Sequence, residues 1–284
     1  MPNKIPLSAT ISTLLGQRAI DKREAEMLVA HLLGTTRTYV IAHGERTLDE
    51  REERGVRRLF ARRAAGEPFA YIVGSREFYG RDFQVTTATL IPRPETELLV
   101  EQALMRLAEH NRPESLANAG VLDLGTGSGA IAISLALADD RLSVTATDIS
   151  SGALEIARRN AQTLQAPVEF IASHWYTGLA DRRFDLIVSN PPYVAGNDMH
   201  LSQGDLRFEP QTALTDGSAD GLDSIRAIVA GAAAHLRPGG WLLFEHGYDQ
   251  ADGCRELLLN AGFNNLISVG DLAGIPRVAV GQIR

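Results

Sequence analysis

Residues 121–131 read Val-Leu-Asp-Leu-Gly-Thr-Gly-Ser-Gly-Ala-Ile, and this stretch decides the fold. Its first four residues form a short apolar run typical of a buried strand, and residues 130–138 continue as an apolar helix. The glycines between them allow a sharp turn and let a ligand approach the backbone without a Cβ in the way. A strand, a glycine loop and a helix in this order predict a cofactor site at the carboxyl end of a sheet.

The loop alone does not identify the cofactor. Gly125, Gly127 and Ala130 also satisfy the dinucleotide pattern G-x-G-x-x-G/A. Asp148 ends the next predicted strand and is placed to hold a ribose hydroxyl with either cofactor. Asp123, inside the preceding strand, could orient the loop or meet a cofactor ammonium group, and both alternatives stay open. The candidate loop residues are Gly125, Thr126, Gly127, Ser128 and Gly129.

Predicted strands and helices alternate on both sides of this loop. Strands are expected at residues 121–124, 144–147, 168–171, 186–188, 241–244, 266–269 and 277–280. Helices are expected at residues 95–109, 130–138, 152–164, 221–236 and 251–260. Such alternation predicts an α/β fold with a mostly parallel sheet covered on both faces.

The chain before this array has a different texture. Residues 8–65 predict helices, with Asp21 as an N-cap and an amphipathic helix over residues 49–65. The apolar stretches 71–73 and 83–85 flank Gly74 and Gly80 and indicate a β-hairpin. We therefore expect a helical domain over residues 1–68, a hairpin connector over 69–91 and the α/β domain over 92–284.

Composition excludes several classes of protein. The 284 residues carry a net charge of −7, with 12 basic against 9 acidic residues up to residue 68 and 16 against 26 afterwards. The acidic surface of the larger part disfavours broad binding of nucleic acid. One cysteine, Cys254, excludes an intrachain disulfide and a cysteine-based metal cluster. No apolar run approaches the roughly 20 residues of a membrane span, and residues 1–10 lack a signal-peptide core, so a cytoplasmic protein is expected.

A second motif follows the strand that ends at Ser189. It reads Asn190-Pro191-Pro192-Tyr193, and its two prolines prevent the strand from continuing. They hold the Asn190 side chain at the carboxyl edge of the sheet, where ligands bind in open α/β folds. After a glycine loop and a ribose-binding acid, this placement favours a functional role over a rigid turn.

Together, the glycine loop, Asp148 and Asn190–Tyr193 resemble S-adenosylmethionine-dependent methyltransferases that act on a planar, conjugated nitrogen. Further segments make the chain similar to the release-factor glutamine N5-methyltransferase family along nearly its full length. These segments are Phe78-Tyr79-Gly80, Ile91-Pro92-Arg93-Pro94-Glu95-Thr96-Glu97, Glu209-Pro210-Gln211, Asp220-Gly221-Leu222 and Glu245-His246-Gly247. The chain departs from the family at Ser173-His174-Trp175, where Gly/Ser-Asp-Trp is common. Trp175 can still line the adenine site, but His174 replaces a carboxylate, which puts a contact from that side chain in doubt.

The resemblance implies a Rossmann-like, seven-stranded class I methyltransferase domain that uses S-adenosylmethionine and no metal. It implies methylation of the glutamine in the Gly-Gly-Gln motif of peptide chain release factors, with the N-terminal helices recognising the protein substrate. Asn190 and the Pro191 carbonyl are expected to accept the two amide N–H groups, and Tyr193 to provide a flat wall, with Pro192 completing the motif. The segment from Arg93 to Glu97 either starts a helix or shapes the cofactor site.

Three alternatives remain. A ribosomal-protein glutamine N5-methyltransferase would share the active-site chemistry and differ in its N-terminal domain. A nucleic-acid adenine N6-methyltransferase would share the Asn-Pro-Pro-Tyr motif, but it should bring a basic groove or a target-recognition domain. A protein that only binds the cofactor is opposed by the intact motif at Asn190.

Overall fold

The computed structural model describes residues 9–109 and 119–284. The chain divides into a first unit that ends at Gly74 and a second that begins at Ser75. The predicted domain limits at residues 68 and 91 stay a prediction. No helix in the described residues is both long and apolar enough to cross a membrane.

The described part of the first unit is helical, as the sequence predicts. Asp21 caps its second helix by accepting hydrogen bonds from the backbone N–H groups of Arg23 and Glu24, and Asp49 and Glu52 form a capping box. Leucine, valine and isoleucine side chains from these helices pack into one apolar core. The helices are α1 (Ile11–Gly16), α2 (Lys22–Leu32), α3 (Arg37–Ala42), α4 (Glu50–Ala64) and α5 (Phe69–Val73).

The strand expected at residues 71–73 is wrong, because these residues lie in α5. Pro68 precedes the helix, and Gly74 ends it in the left-handed conformation with a φ of 80°. Ile72 is buried against the core of the first unit. The hairpin does exist, but it pairs β1 (Ser75–Phe78) with β2 (Arg81–Gln84).

The second unit continues with a seven-stranded sheet, which confirms the predicted α/β fold. Its strand order is β5-β4-β3-β6-β7-β9-β8, and β9 runs antiparallel to both β7 and β8, whereas the other neighbouring strands pair in parallel. The strands are β3 (Ala119–Leu124), β4 (Leu142–Asp148), β5 (Val168–Ala172), β6 (Phe184–Ser189), β7 (Leu236–Glu245), β8 (Asn264–Gly270) and β9 (Pro276–Gln282). The helices are α6 (Glu97–Glu109), α7 (Ala130–Ala138), α8 (Ser151–Leu164), α9 (Gln211–Leu214), α10 (Asp223–His235) and α11 (Ala251–Asn260), and 3₁₀ turns lie at Pro94–Thr96, Met199–Ser202 and Leu206–Phe208.

Both faces of this sheet are buried. Val121 packs into one apolar cluster with residues of α6 and α7, whereas Leu122 and Leu124 pack into another with residues of α10 and α11. This division follows from the alternation of side chains along a strand. The register between β6 and β7 shifts once, because Leu236 pairs with Phe184 and Trp241 pairs with Leu186, so the Pro-Gly-Gly sequence at residues 238–240 forms an irregularity inside β7.

The connections of β3 place the site. The chain runs outward from β3 to β4 and β5, and then returns to place β6 on the other side of β3. A doubly wound sheet opens a crevice at the carboxyl ends of its strands at such a reversal. The glycine loop follows β3 and the Asn-Pro-Pro-Tyr motif follows β6, so this crevice receives both motifs.

Candidate active site

A cavity of about 470 Å³ lies at this end of the sheet. Four of the five loop residues, Gly125 to Ser128, line it, whereas Gly129 does not. The cavity is also lined by Asp148, His174, Trp175, Asn190 and Pro192. A further part of its wall comes from the segments 88–93 and 210–216. Most of the residues selected from the sequence therefore meet in one place.

The glycine loop is tied to the end of β4. The backbone N–H groups of Gly125 and Thr126 both donate to the carbonyl of Thr147, each at 2.9 Å. Gly125, Gly127 and Gly129 have φ values of 72°, 57° and 83°, which a side chain would strain. The loop therefore needs its glycines in order to adopt this path.

Asp123 lies beneath the loop. Its side chain is fully buried and accepts a 2.6 Å hydrogen bond from the hydroxyl of Thr126. Burial raises the pKa of Asp123 to about 7. Asp123 does not line the cavity, so the geometry favours the alternative in which it orients the loop.

Asp148 does line the cavity. Its two carboxylate oxygens accept hydrogen bonds from the backbone N–H groups of Gly127, at 2.9 Å, and Ser150, at 2.8 Å. Burial raises the pKa of this carboxyl group. Each oxygen has a further lone pair, so the carboxylate can also accept from the hydroxyls of a ribose.

Ser173 fixes the turn that carries Trp175. Its hydroxyl donates to the carbonyl of Trp175 and accepts from the backbone N–H of Gly178, both at 2.8 Å. Trp175 has a φ of 51°, an uncommon value for a residue with a side chain. A Cβ at Gly125 would lie 3.7 Å from the Trp175 ring, so the aromatic wall directly adjoins the glycine loop. The role of Ser173 was not anticipated from the sequence.

Asn190 reaches the cavity in a defined orientation. Its amide nitrogen donates to the hydroxyl oxygen of Thr96 at 3.0 Å. Among the described residues, no donor contacts its amide oxygen. The hydroxyl of Thr96 in turn donates to Glu245 at 2.7 Å. Thr96 and Glu245 belong to two segments that the sequence singles out separately, and only the fold shows that they meet.

Pro191 and Tyr193 do not line the cavity. The Tyr193 ring packs beside the cluster that contains Leu122, and its hydroxyl donates to Glu245 at 2.9 Å. Burial, together with the negative charge of Glu245, raises the pKa of this phenol. The role of Tyr193 as a flat wall and that of the Pro191 carbonyl as an acceptor stay predictions.

The backbone after Asn190 is held by two residues from further along the chain. Gly221 has a φ of 67°, and a Cβ there would lie 2.1 Å from the Tyr193 carbonyl oxygen. Gln250 donates to the same oxygen at 2.9 Å and to the carbonyl of Asp220 at 2.8 Å. The sequence had selected Gly221 within a motif but not Gln250.

Glu209, directly before the segment 210–216, connects it to the segment 88–93. Its carboxylate accepts a hydrogen bond from Arg93 and a 3.0 Å hydrogen bond from the backbone N–H of Ile91. The side chain of Glu209 is fully buried, and Arg93 itself lines the cavity. Arg93 thus supports the site through Glu209, while Pro94 and Glu95 form the helix start that the sequence also allowed.

These features fit a cofactor that carries a nucleoside. Asp148 offers acceptors for ribose hydroxyls, Trp175 offers a flat apolar surface for a purine, and the glycine loop leaves room for close approach. Among the described residues that line the cavity, Asn190 is the one that carries a side-chain amide.

Comparison with known proteins gives two family matches. Residues 7–74 match the PrmC N-terminal domain, and residues 96–207 match the Methyltransferase small domain. The release factor glutamine methyltransferase of Bordetella pertussis is 49% identical over 96% of this chain and 99% of its own length. That of Burkholderia pseudomallei is 48% identical over 98% of each chain.

A solved structure shows the same fold. The 16S rRNA methyltransferase of T. thermophilus, determined with AdoMet and guanosine, superposes with a TM-score of 0.51. It is 24% identical and covers 74% of this chain and 50% of its own. At that identity the likeness concerns the fold alone.

Proposed function

The chain belongs to the release factor glutamine methyltransferase family, and on that premise we propose its reaction. It transfers a methyl group from S-adenosylmethionine to the side-chain nitrogen, N5, of the glutamine in the Gly-Gly-Gln motif of peptide chain release factors. The observation that carries this assignment is the near 50% identity, over almost the whole chain, to relatives that bear that name. We place the reaction in the cytoplasm, where release factors meet the ribosome.

S-adenosylmethionine, when bound, supplies a methyl group on a positively charged sulfur. We assign its ribose to Asp148, its adenine to the side of Trp175, and the remainder to the glycine loop from Gly125 to Gly129. Asp123 supports that loop from below through Thr126. His174 lines the same cavity, and we assign it no contact with the cofactor.

The substrate nitrogen needs help because its lone pair is delocalised into the adjacent carbonyl. The amide oxygen of Asn190 can accept one N–H of the substrate amide, and the carbonyl of Pro191 can accept the other. As the nitrogen attacks, it becomes more positive, so fixed acceptors stabilise the transition state more than the ground state, and the methylated nitrogen then loses one proton to water. Tyr193 is proposed as a wall beside the amide plane, with its ring held through Glu245.

Recognition of a whole release factor requires more than three residues of substrate. We assign the additional contacts to the helical first unit, whose slight basic excess suits an acidic partner surface. Exchanging this unit should raise KM for the whole factor and leave that for a short Gly-Gly-Gln peptide unchanged. Equal losses on both substrates would contradict this assignment.

The proposed function is tested by methyl transfer from labelled S-adenosylmethionine. The candidate acceptors are an unmodified release factor, a ribosomal-protein substrate, and bulk DNA and RNA, and peptide mass spectrometry locates the methyl group. We expect a single methyl on the glutamine of Gly-Gly-Gln. Label in the ribosomal protein or in nucleic acid instead would overturn the substrate assignment.

The role of Asn190 is tested with Asn190→Ala. Turnover should fall by about 100-fold or more, because an acceptor for the developing charge is lost, while cofactor affinity is retained. Asn260→Ala, which changes an exposed asparagine at the end of α11, is the matched control and should behave as wild type. Undiminished methylation by Asn190→Ala would refute the assigned role.

A further inference from the structure

The Asn190 amide can present either of two different ends to a substrate. Its oxygen accepts hydrogen bonds and its NH₂ group only donates them. The substrate nitrogen carries N–H groups, so only the orientation with the oxygen toward the substrate supports the reaction. A rotation of about 180° around the last side-chain bond would present a donor to a donor. Something must therefore fix this rotation.

Thr96 is in contact with the end of the amide that must not face the substrate. Its hydroxyl oxygen accepts from the Asn190 nitrogen at 3.0 Å. The same hydroxyl donates its hydrogen to Glu245, with 2.7 Å between the two oxygens. Because that hydrogen already forms a hydrogen bond, Thr96 can accept from Asn190 but cannot donate to it. An Asn190 amide oxygen turned toward Thr96 would therefore find no hydrogen-bond donor.

Glu245 fixes the direction of this chain of hydrogen bonds. One of its oxygens accepts from Thr96 and the other from Tyr193, at 2.9 Å. Thr96 is 4% exposed and Glu245 is 2% exposed, so water does not compete for these groups. A buried acceptor flanked by two hydroxyl donors leaves the Thr96 hydroxyl one favourable orientation.

We propose that Thr96 and Glu245 are positioning residues for methyl transfer, which hold the Asn190 amide with its oxygen toward the substrate nitrogen. This inference rests on the proposed role of Asn190 as the acceptor. It gives a shared purpose to the Pro-Arg-Pro-Glu-Thr-Glu segment and to Glu245-His246-Gly247. Neither Thr96 nor Glu245 has to touch the reacting atoms.

The test replaces Thr96 by valine, which keeps its shape and removes its hydroxyl. Thr96→Val should lower kcat by about 10- to 100-fold, because the amide is then free to rotate away from its productive orientation. KM for the Gly-Gly-Gln peptide and cofactor affinity should stay close to wild type. Thr96→Ser restores the hydroxyl and should recover most of the lost rate.

Thr145→Val is the matched control. Thr145 is 1% exposed, lies in β4 and does not line the cavity, so the same chemical change is made at a similarly buried site. Rates are expressed per cofactor-binding site, measured by calorimetry, so that unfolded protein is not counted as slow enzyme. Glu245→Leu is a second variant, since it removes both accepting oxygens and leaves the Thr96 hydroxyl without a fixed direction, and its kcat should fall as well.

Three results would overturn the inference. Thr96→Val could match wild type in kcat, Thr96→Ser could be as slow as Thr96→Val, or Thr145→Val could lose as much rate. If Thr96→Val does not fold, an unchanged kcat in Glu245→Leu would overturn it equally. If wild-type enzyme does not methylate the release factor, the proposed substrate fails instead, and the same variants are compared on the acceptor that takes the label.

Discussion

Glu209 gives the sharpest prediction for stability. Its carboxylate is fully buried and serves two donors, the guanidinium of Arg93 and the backbone N–H of Ile91. Glu209→Gln keeps the shape but offers one accepting oxygen, so one of the two donors loses its partner. Breaking a fully buried ion pair costs about 3–5 kcal/mol. Because the Arg93 side chain is 32% exposed and can recover some hydration, we expect the second unit to lose about 2–3 kcal/mol.

The assay is urea unfolding followed by tryptophan fluorescence. Both tryptophans, Trp175 and Trp241, lie in the second unit, so the signal reports on that unit. With a slope of about 2–3 kcal/mol per molar urea, the midpoint should fall by about 1 M.

The matched control for this prediction is an exposed ion pair in the same unit. Glu155 and Arg159 are 62% and 54% exposed, so Glu155→Gln should cost no more than about 1 kcal/mol. A wild-type midpoint for Glu209→Gln would refute the reasoning, and so would an equal loss in the control.

Two further predictions concern the loop that follows β3 and the aspartate that supports it. Gly129→Ala should destabilise the protein by about 1–2 kcal/mol and weaken cofactor binding in calorimetry, because its φ is 83° and the new Cβ would lie 2.8 Å from Ile133. Gly274→Ala, at a φ of 77° with open space around it, should carry the same strain without changing cofactor affinity; equal affinities in both variants would contradict the role given to Gly129. Asp123 has a folded-state pKa of about 7, above its unfolded value, so its protonated form favours folding and its contribution is lost as pH rises from about 4 to 7. The urea midpoint should therefore fall more between pH 5 and pH 8 for wild type than for Asp123→Asn. An equal fall in both proteins would show that this carboxyl group does not titrate as described.

The sequence predicted the elements that have a clear period or clear end signals. The helices predicted at 130–138 and 251–260 begin and end at the residues that the structure gives, because their apolar patterns are long or have recognisable ends. The stretch 71–73 was misassigned because Tyr-Ile-Val favours strands locally, whereas burial of Ile72 among helices decides the outcome. A three-residue run carries too little periodicity to reveal that choice.

The candidate site divides in the same way. Gly125–Gly129, Asp148 and Asn190 could be placed in advance, because each follows a strand whose end is recognisable. The contact between Thr96 and Glu245 could not, since it joins residues 149 positions apart and depends on where β7 lies in the sheet. Long-range contacts of this kind depend on the register of neighbouring strands, and no local sequence pattern predicts that register.

The order in which the chain is synthesised gives this long-range contact a consequence. A nascent chain carries its glycine loop and Asn190 well before it carries Glu245, to which Thr96 donates. Because long-range contacts form only after a large loop has closed, the hydrogen bonds that orient Asn190 are late events in folding. A growing chain can thus hold both sequence motifs and still lack an oriented acceptor until β7 has left the ribosome and joined the sheet.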